Sequence, residues 1–345
     1  MNPSIRPSVQ DLTAYTPGEQ PKVDKLIKLN TNENPYPPSP AVARVLREFP
    51  VETLRLYPDP VCSALRERIA AWSGVTPDQV LVGNGSDEVL RLAIWAFTAP
   101  GGAVAAFEPT YSLYPVLAAA EEVAYRTVAL PEGFGWTDPP HDVEASLFLL
   151  TNPNAPTGVF YPVEAIRDFC QRFPGVVLVD EAYVDFSGGR DCLALARDCD
   201  NVLVCRTLSK SFSLAGLRIG YAIGAPALIA ALSKLKDSYN VDRLAQTVAL
   251  AALEDVAWMQ DNTRRIVATR ERVVAELARR GFSIVPSAAN FLFVAPPAGL
   301  LAQDLFAQLR EKKILVRYFP GPRTGRYLRI SIGTDAEMDA LLAAF

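Results

Sequence analysis

Lys210 sits among hydroxyls in the run Thr207-Leu208-Ser209-Lys210-Ser211-Phe212, and Gly216-Leu217-Arg218 follows closely. Two hydroxyls, an amine and a guanidinium after an apolar stretch suit a phosphate monoester held beside an amine nucleophile. An isolated lysine is usually a solvated surface residue, and its companions single this one out. A second cluster, Asp180-Glu181-Ala182-Tyr183, follows the apolar run Val176–Val179. A carboxylate there is costly to bury unless it meets a cation or a strong donor, although capping the next turn explains it equally well. In Gly83-Asn84-Gly85-Ser86-Asp87-Glu88 the glycines let backbone approach a ligand, and a helix starting at Ser86 or Asp87 would offer free N–H groups to an anion. Taken alone, that segment reads first as an ordinary capped helix. The segment Thr151-Asn152-Pro153-Asn154-Ala155-Pro156-Thr157-Gly158 is turn-rich and by itself fits any tight loop.

The rest of the inventory excludes much other chemistry. The single histidine, His141, follows Pro139 and Pro140 in an expected loop, so serine-type triads and multi-histidine metal sites lack their parts. Five cysteines (Cys62, Cys170, Cys192, Cys199, Cys205) form no CxxC pair. With no secretory leader pattern at the start, they point to a reduced, cytoplasmic protein. No apolar run is long enough to cross a bilayer. A formal charge of -4 gives no basic footprint for nucleic acid.

These clusters need elements to position them. A chain of 345 residues, 50% hydrophobic and 21% charged, can bury a large core as one large domain or two coupled ones. Residues 1–40, rich in proline and asparagine, read as an extended arm of the kind that lies on a partner surface. From about Val61, helices alternate with short apolar strands, the pattern of an α/β fold with a mostly parallel sheet flanked by helices. Strands are expected at Val104–Ala106, Ser146–Leu150, Val176–Val179, Val202–Cys205 and Ile219–Ile223, and helices at Cys62–Trp72, Asp87–Phe97, Val163–Arg172 and Pro226–Lys236. Beyond Asp242 the chain is helical to Arg280, and strands at Phe291–Val294 and Tyr327–Ile332 then enclose a helix at Leu300–Arg310. The expectation is an arm (1–40), a large cofactor domain (41–241) and a smaller α+β domain (242–345). The clusters fall at strand C-terminal ends, where open α/β sheets bind ligands.

With these motifs in order, the sequence resembles the pyridoxal-phosphate aminotransferases of the aspartate aminotransferase fold (fold type I, class II), most closely the histidinol-phosphate aminotransferases. The resemblance runs from Tyr15 to the C-terminal region and rests on LNTNENP at Leu29–Pro35, TNPNAPTG, DEAYVDF, TLSKSFSLAGLRIG, ILVRYF and YLRISIG. It implies pyridoxal 5'-phosphate as cofactor, bonded through its aldehyde to Lys210, which would also shuttle the substrate proton. Asp180 is implied to pair with the pyridine nitrogen and keep the ring an electron sink. Tyr183 would donate to the phenolic oxygen, and Tyr111 would stack on the ring. The phosphate cup would be Ser86, Asp87, Thr207, Ser209 and Arg218, with Tyr57 reaching the neighbouring subunit's cofactor in a homodimer. Arg329 is implied to grip an α-carboxylate, and Arg317 and Tyr15 match positions near a substrate phosphate.

One position departs from the family pattern. The asparagine expected before Pro-Thr-Gly is Ala155 here, and Asn154 or Asn152 is the neighbouring candidate to serve the phenolic oxygen, Asn154 being favoured. The activity implied is transamination from histidinol phosphate to 2-oxoglutarate, giving imidazole-acetol phosphate and glutamate. The alternatives are an aromatic amino acid aminotransferase and a phosphothreonine decarboxylase using the same lysine and aspartate. A cofactor-binding sensor would want an effector segment, for which this chain has no spare length.

Overall fold

The computed structural model describes residues 4–22, 24–140 and 143–345. His141, expected in a loop, lies outside the described residues. In chain order, a two-residue strand β1 (Ile27–Lys28) is followed by β2 (Val80–Asn84), β3 (Ala103–Glu108), β4 (Ala124–Ala129), β5 (Leu147–Thr151), β6 (Val176–Asp180), β7 (Val202–Thr207) and β8 (Ile219–Gly224). Strands β2 to β8 form one sheet in the order β2-β8-β7-β6-β5-β3-β4. All run parallel except β8, which lies antiparallel between β2 and β7.

The reason these segments form a sandwiched sheet is visible in their alternation. Phe148 and Leu150 of β5, with Val202 and Val204 of β7, face one core; Leu147, Leu149, Leu203 and Cys205 face the other. A strand covered on both faces has no solvent side, so its sequence reads as a continuous apolar run. The covering helices carry their apolar residues at three-to-four spacing: Val163–Arg172 buries Ile166, Phe169 and Cys170, and Ser86–Phe97 buries Val89, Leu90, Ala93 and Ile94. Phe148 is fully buried, and its truncation to alanine would cost about 3–5 kcal/mol.

A second core gathers on β9 (Ser283–Val285), β10 (Phe291–Ala295), β12 (Arg317–Tyr318) and β13 (Leu328–Ser331), an antiparallel sheet ordered β12-β13-β10-β9. Helices Ala302–Glu311 and Asp335–Ala344 pack on it, the latter begun by a capping box of Thr334 and Glu337. The long helix Val256–Arg279 joins the two cores: Met259 belongs to the first, while Ile266, Val273 and Leu277 belong to the second.

The expected central strands and helices are present within a residue or two at most ends. The sequence expectations did not include β4, β9, the helices Pro40–Glu48, Tyr114–Ala120 and Leu193–Asp198, the terminal helix, or the pairing of β1 with β11 (Ile314–Leu315). Edge strand β4 has mostly exposed or half-buried residues, and β1 and β11 are only two residues long. These three strands have no period to detect. The arm is also more integrated than an extended segment laid on a surface. Leu29 donates its N–H to the Leu315 carbonyl at 2.7 Å and is buried in the second core.

Candidate active site

The sheet brings four strand ends together on one edge. Because β8 is reversed, it begins where β2 and β7 finish, with Ile219 opposite Asn84 and Gly220 opposite Thr207. Arg218, in the left-handed backbone region at φ 57°, therefore lands beside the start of helix Ser86–Phe97. The approach is tight: a Cβ on Gly220 would lie 2.3 Å from the Ser86 nitrogen, and one on Gly85 would lie 2.5 Å from Arg218 Nη2. Gly85 also has φ 82°, which favours glycine. Arg218 Nη2 meets Asp87 at 3.2 Å, and Nη1 lies 3.5 Å from Ser209 Oγ. The Thr207 hydroxyl donates to the Ile219 carbonyl at 3.1 Å and also lies 3.0 Å from Ser209 Oγ. A helix N-terminus, two hydroxyls and a guanidinium thus ring one small cavity of about 150 Å³, an anion site by construction.

Lys210 and Asp180 line the same cavity. Lys210 Nζ donates to the Thr31 carbonyl at 3.2 Å. Burial, reinforced by Arg329, holds its ammonium down at about 8, so a reactive share of neutral amine exists near neutrality. Asp180 ends β6 almost fully buried, and no lysine or arginine among the described residues forms an ion pair with it. Burial pushes its carboxyl up to about 6 against two donors that favour the carboxylate: the Tyr114 hydroxyl at 3.0 Å and the Ala182 N–H at 3.1 Å. Glu181, the next residue, faces away and pairs with Arg206 at 2.8 Å. Strand alternation separates the two carboxylates into a site group and a structural one.

Tyr111 and Tyr183 also line the cavity. Tyr111 lies 3.4 Å from Asp87 through its hydroxyl, and burial pushes its phenol up. Ala155 is in the wall, whereas Asn154 is not. The Asn154 amide accepts from Thr110 at 2.8 Å and donates to the Pro109 carbonyl and Thr157 Oγ1, both at 3.0 Å. Asn152 is likewise engaged with the Tyr161 backbone. The sequence expectation that Asn154 faces the site is corrected here: both asparagines tie down their own turn, and neither amide reaches the cleft.

An outer cleft of about 460 Å³ opens from this cavity, sharing Tyr111, Ala155, Tyr183, Lys210 and Arg218 with it. Tyr15, Arg317 and Arg329 line its far side. Tyr15 stands edge-on to Tyr111, with centroids 6.1 Å apart. Arg317 donates to the Thr16 and Pro17 carbonyls at 2.8 and 3.2 Å. Arg329 donates to the Asn30 carbonyl at 2.8 Å, while its buried Nε has no partner among the described residues. Burial, with Arg317 nearby, moves the Arg329 guanidinium below its usual range. Two guanidiniums in one cleft, one of them with a buried Nε left unpartnered among the described residues, suit an anionic ligand. Tyr57 is not part of its own chain's site: it is 76% exposed and stacked on Tyr239 at 4.4 Å.

Three contributors escaped the sequence reading. Tyr114 is fully buried, donates to Asp180 and lies 2.6 Å from Thr151 Oγ1. Asn32 donates to the Tyr183 oxygen at 3.0 Å, and Asn34 donates to the Lys210 and Ser211 carbonyls at 3.0 Å. The asparagines lie in the quoted LNTNENP motif, which was the available signal. Tyr114 sits three residues after Tyr111, yet its partner is far along the chain and leaves no local trace.

An α/β enzyme with a lysine nucleophile beside an anion cup is the class that this fold and site define. The chain belongs to the aminotransferases of class I and II, whose family model matches residues 24–345, and it transfers amino groups. It is 48% identical to a histidinol-phosphate aminotransferase of Synechocystis sp. over 99% of this chain and 97% of that one. It is equally close to one from Chromohalobacter salexigens, over 98% and 97% of the two chains. Among solved structures it is similar to histidinol-phosphate aminotransferase from Sinorhizobium meliloti in complex with pyridoxal-5'-phosphate. That likeness has a TM-score of 0.87 at 27% identity and covers 99% of this chain and 96% of the other.

Proposed function

We propose that the chain holds pyridoxal 5'-phosphate at Lys210 and moves the amino group of histidinol phosphate to 2-oxoglutarate, giving imidazole-acetol phosphate and glutamate. The observation that carries this reading is a pair of anion sites flanking one lysine: the Ser86 and Arg218 cup within, and Arg317 and Arg329 without. The residues present fit the cofactor. Asp180, buried with no ion-pair partner among the described residues, suits a protonated ring nitrogen; the cup suits a phosphate; and Tyr183 presents a hydroxyl to the same cavity. The cofactor would supply an aldehyde for the amine and a ring that accepts electrons from the substrate α-carbon.

The chain's own residues do the rest. Lys210, with its ammonium near 8, takes a proton from the substrate carbon side and returns it. Asp180 would stay ionised against the positive ring nitrogen of the cofactor and hold that charge in place. Arg329 and Arg317 orient the substrate anion, a task suited to their forked donors.

In this reading Tyr57 serves a second copy's cup. Tyr57 is exposed alongside Val51, Leu54, Leu56 and Val61, an apolar segment that a partner subunit would cover, making a homodimer. The free, mostly buried thiols support a cytoplasmic setting. The test is direct: purified protein is supplied with pyridoxal 5'-phosphate and 2-oxoglutarate, and glutamate formation is measured with histidinol phosphate or phenylalanine as donor. Preference for histidinol phosphate supports the reading; preference for phenylalanine, or carbon dioxide release from a phosphorylated amino acid, replaces it.

A further inference from the structure

A phenol oxygen can accept hydrogen bonds but carries one hydrogen to give. Tyr183 Oη receives the Asn32 side-chain amide at 3.0 Å. The amide's orientation is fixed by its other end: Ser331 Oγ accepts the Asn32 backbone N–H at 2.8 Å and donates to Asn32 Oδ1 at 2.9 Å, leaving only Nδ2 to face Tyr183. Asn290 donates to the Asn32 carbonyl at 3.0 Å. Asn32 itself is buried and takes a left-handed φ of 56°, which asparagine tolerates better than most residues. The Tyr183 hydrogen therefore points away from Asn32, and no acceptor for it is present among the described residues. It is free for the cavity it shares with Lys210 and the Ala155 methyl.

We propose that Asn32 is a positioning residue that aims and acidifies the Tyr183 hydroxyl, so that this hydroxyl serves an anionic oxygen of the bound cofactor in place of a second direct donor from the Ala155 position. The inference rests on reading the cavity as a pyridoxal-phosphate site. A donor on a phenol oxygen strengthens that phenol as a donor in turn, since each hydrogen bond polarises the next. Burial holds the Tyr183 phenol above its usual range; of the charged groups facing it, Arg329 favours its ionised form and Asp180 and Asp87 oppose it; Lys210 Nζ lies 5.8 Å from the ring centre. A stronger donor at the cofactor oxygen stabilises negative charge there and eases release of the proton held at the Lys210 nitrogen.

The experiment is an absorbance pH titration of the cofactor-loaded protein, reading the midpoint at which the bound chromophore loses its proton. Wild type is compared with Asn32→Asp, Asn32→Gly, Tyr183→Phe and each Asn32 change combined with Tyr183→Phe. Asp and Gly both suit the left-handed backbone; Asp removes the donor at constant shape, and Gly removes it without adding charge. Each single Asn32 change is expected to raise the midpoint by roughly half to one pH unit, the worth of one net hydrogen bond. In the Tyr183→Phe background, Asn32→Gly should add nothing, because Asn32 acts through that hydroxyl. An unchanged midpoint with Asn32→Gly, or an equal rise in the Tyr183→Phe background, overturns the inference while leaving the cofactor reading intact. A wild-type protein that forms no chromophore overturns both.

Discussion

The inner cavity and the outer cleft adjoin, yet they are built in different ways. The inner groups stand at or just past strand ends: Asp180 on β6 and Thr207 on β7, each strand paired on both sides, and Ser86 just beyond the edge strand β2, which β8 pairs along its length. Their positions follow from sheet register, which a buried two-sided core holds firmly. The outer groups are held by longer reaches, Arg317 by the Thr16 and Pro17 carbonyls of the arm and Arg329 by the Asn30 carbonyl. In the proposed reading, the strand ends would serve the step common to every substrate, and the arm and the second sheet would meet the part of the substrate that varies.

This division orders what mutations should do. The largest effect belongs to Lys210→Ala. Removing the proton-transfer group should lower turnover at least about a thousandfold, and borohydride reduction followed by peptide mapping should no longer recover a cofactor-labelled peptide. Recovery of the label on Lys234 or Lys236 in the wild type would move the centre of the inner cavity elsewhere. Asp180→Asn comes next, with two effects of opposite sign. Turnover should fall sharply because the ring loses its counter-charge, while the cofactor-free protein should become more stable at neutral pH. The sign follows from burial raising the Asp180 carboxyl to about 6. A raised acid contributes stability that is fully present below its unfolded value near 3.8 and is lost as pH climbs through about 6. The shift corresponds to about 3 kcal/mol by pH 7. Thermal melts of the cofactor-free proteins at pH 4 and pH 7.5 should show the variant ahead only at the higher pH.

At the outer cleft the expected losses are smaller and selective. Arg317→Ala removes a charge-assisted contact worth roughly 1.5–3 kcal/mol. It should therefore raise the KM for histidinol phosphate by about one to two powers of ten and spare phenylalanine. If both donors suffer equally, Arg317 merely anchors the arm through Thr16 and Pro17, and the contrast between the two regions loses its functional half.

The same contrast explains what could be read from the sequence. Central strands were legible because a doubly covered strand leaves an unbroken apolar run, and the polar groups at their ends follow within a few residues. The Asn154 expectation failed because adjacency says nothing about direction: in the folded turn its amide serves Thr110, Pro109 and Thr157. The pairing of Ile27 with Ile314 was illegible for another reason, since two residues carry no periodicity and their partner is remote. Asn32 stood in plain view inside LNTNENP, but its task depends on Ser331 and Tyr183, which only tertiary packing brings to it.

The smallest predicted effect tests whether inner groups are tuned by residues the sequence did not reveal. Tyr114 is fully buried, donates to Asp180 at 3.0 Å and is backed by Thr151 at 2.6 Å. Its hydrogen bond holds the Asp180 carboxyl down while burial pushes it up. Tyr114→Phe keeps the ring and its packing and removes only the donor, so the carboxyl should rise further, by about one pH unit for a bond to a charged group. In the loaded enzyme the cation opposite Asp180 supplies most of the compensation, which confines the loss of turnover near pH 8 to a few-fold. The acid limb of the kcat/KM profile should nevertheless move upward, because the charged form of Asp180 then requires a higher pH. Asp180→Asn combined with Tyr114→Phe should show no further movement of that limb. A shift that persists without the carboxylate would place the titrating group elsewhere and make Tyr114 a packing residue alone. A shift that vanishes would show that the rigidity of the inner region includes its acidity, set by a tyrosine remote in sequence.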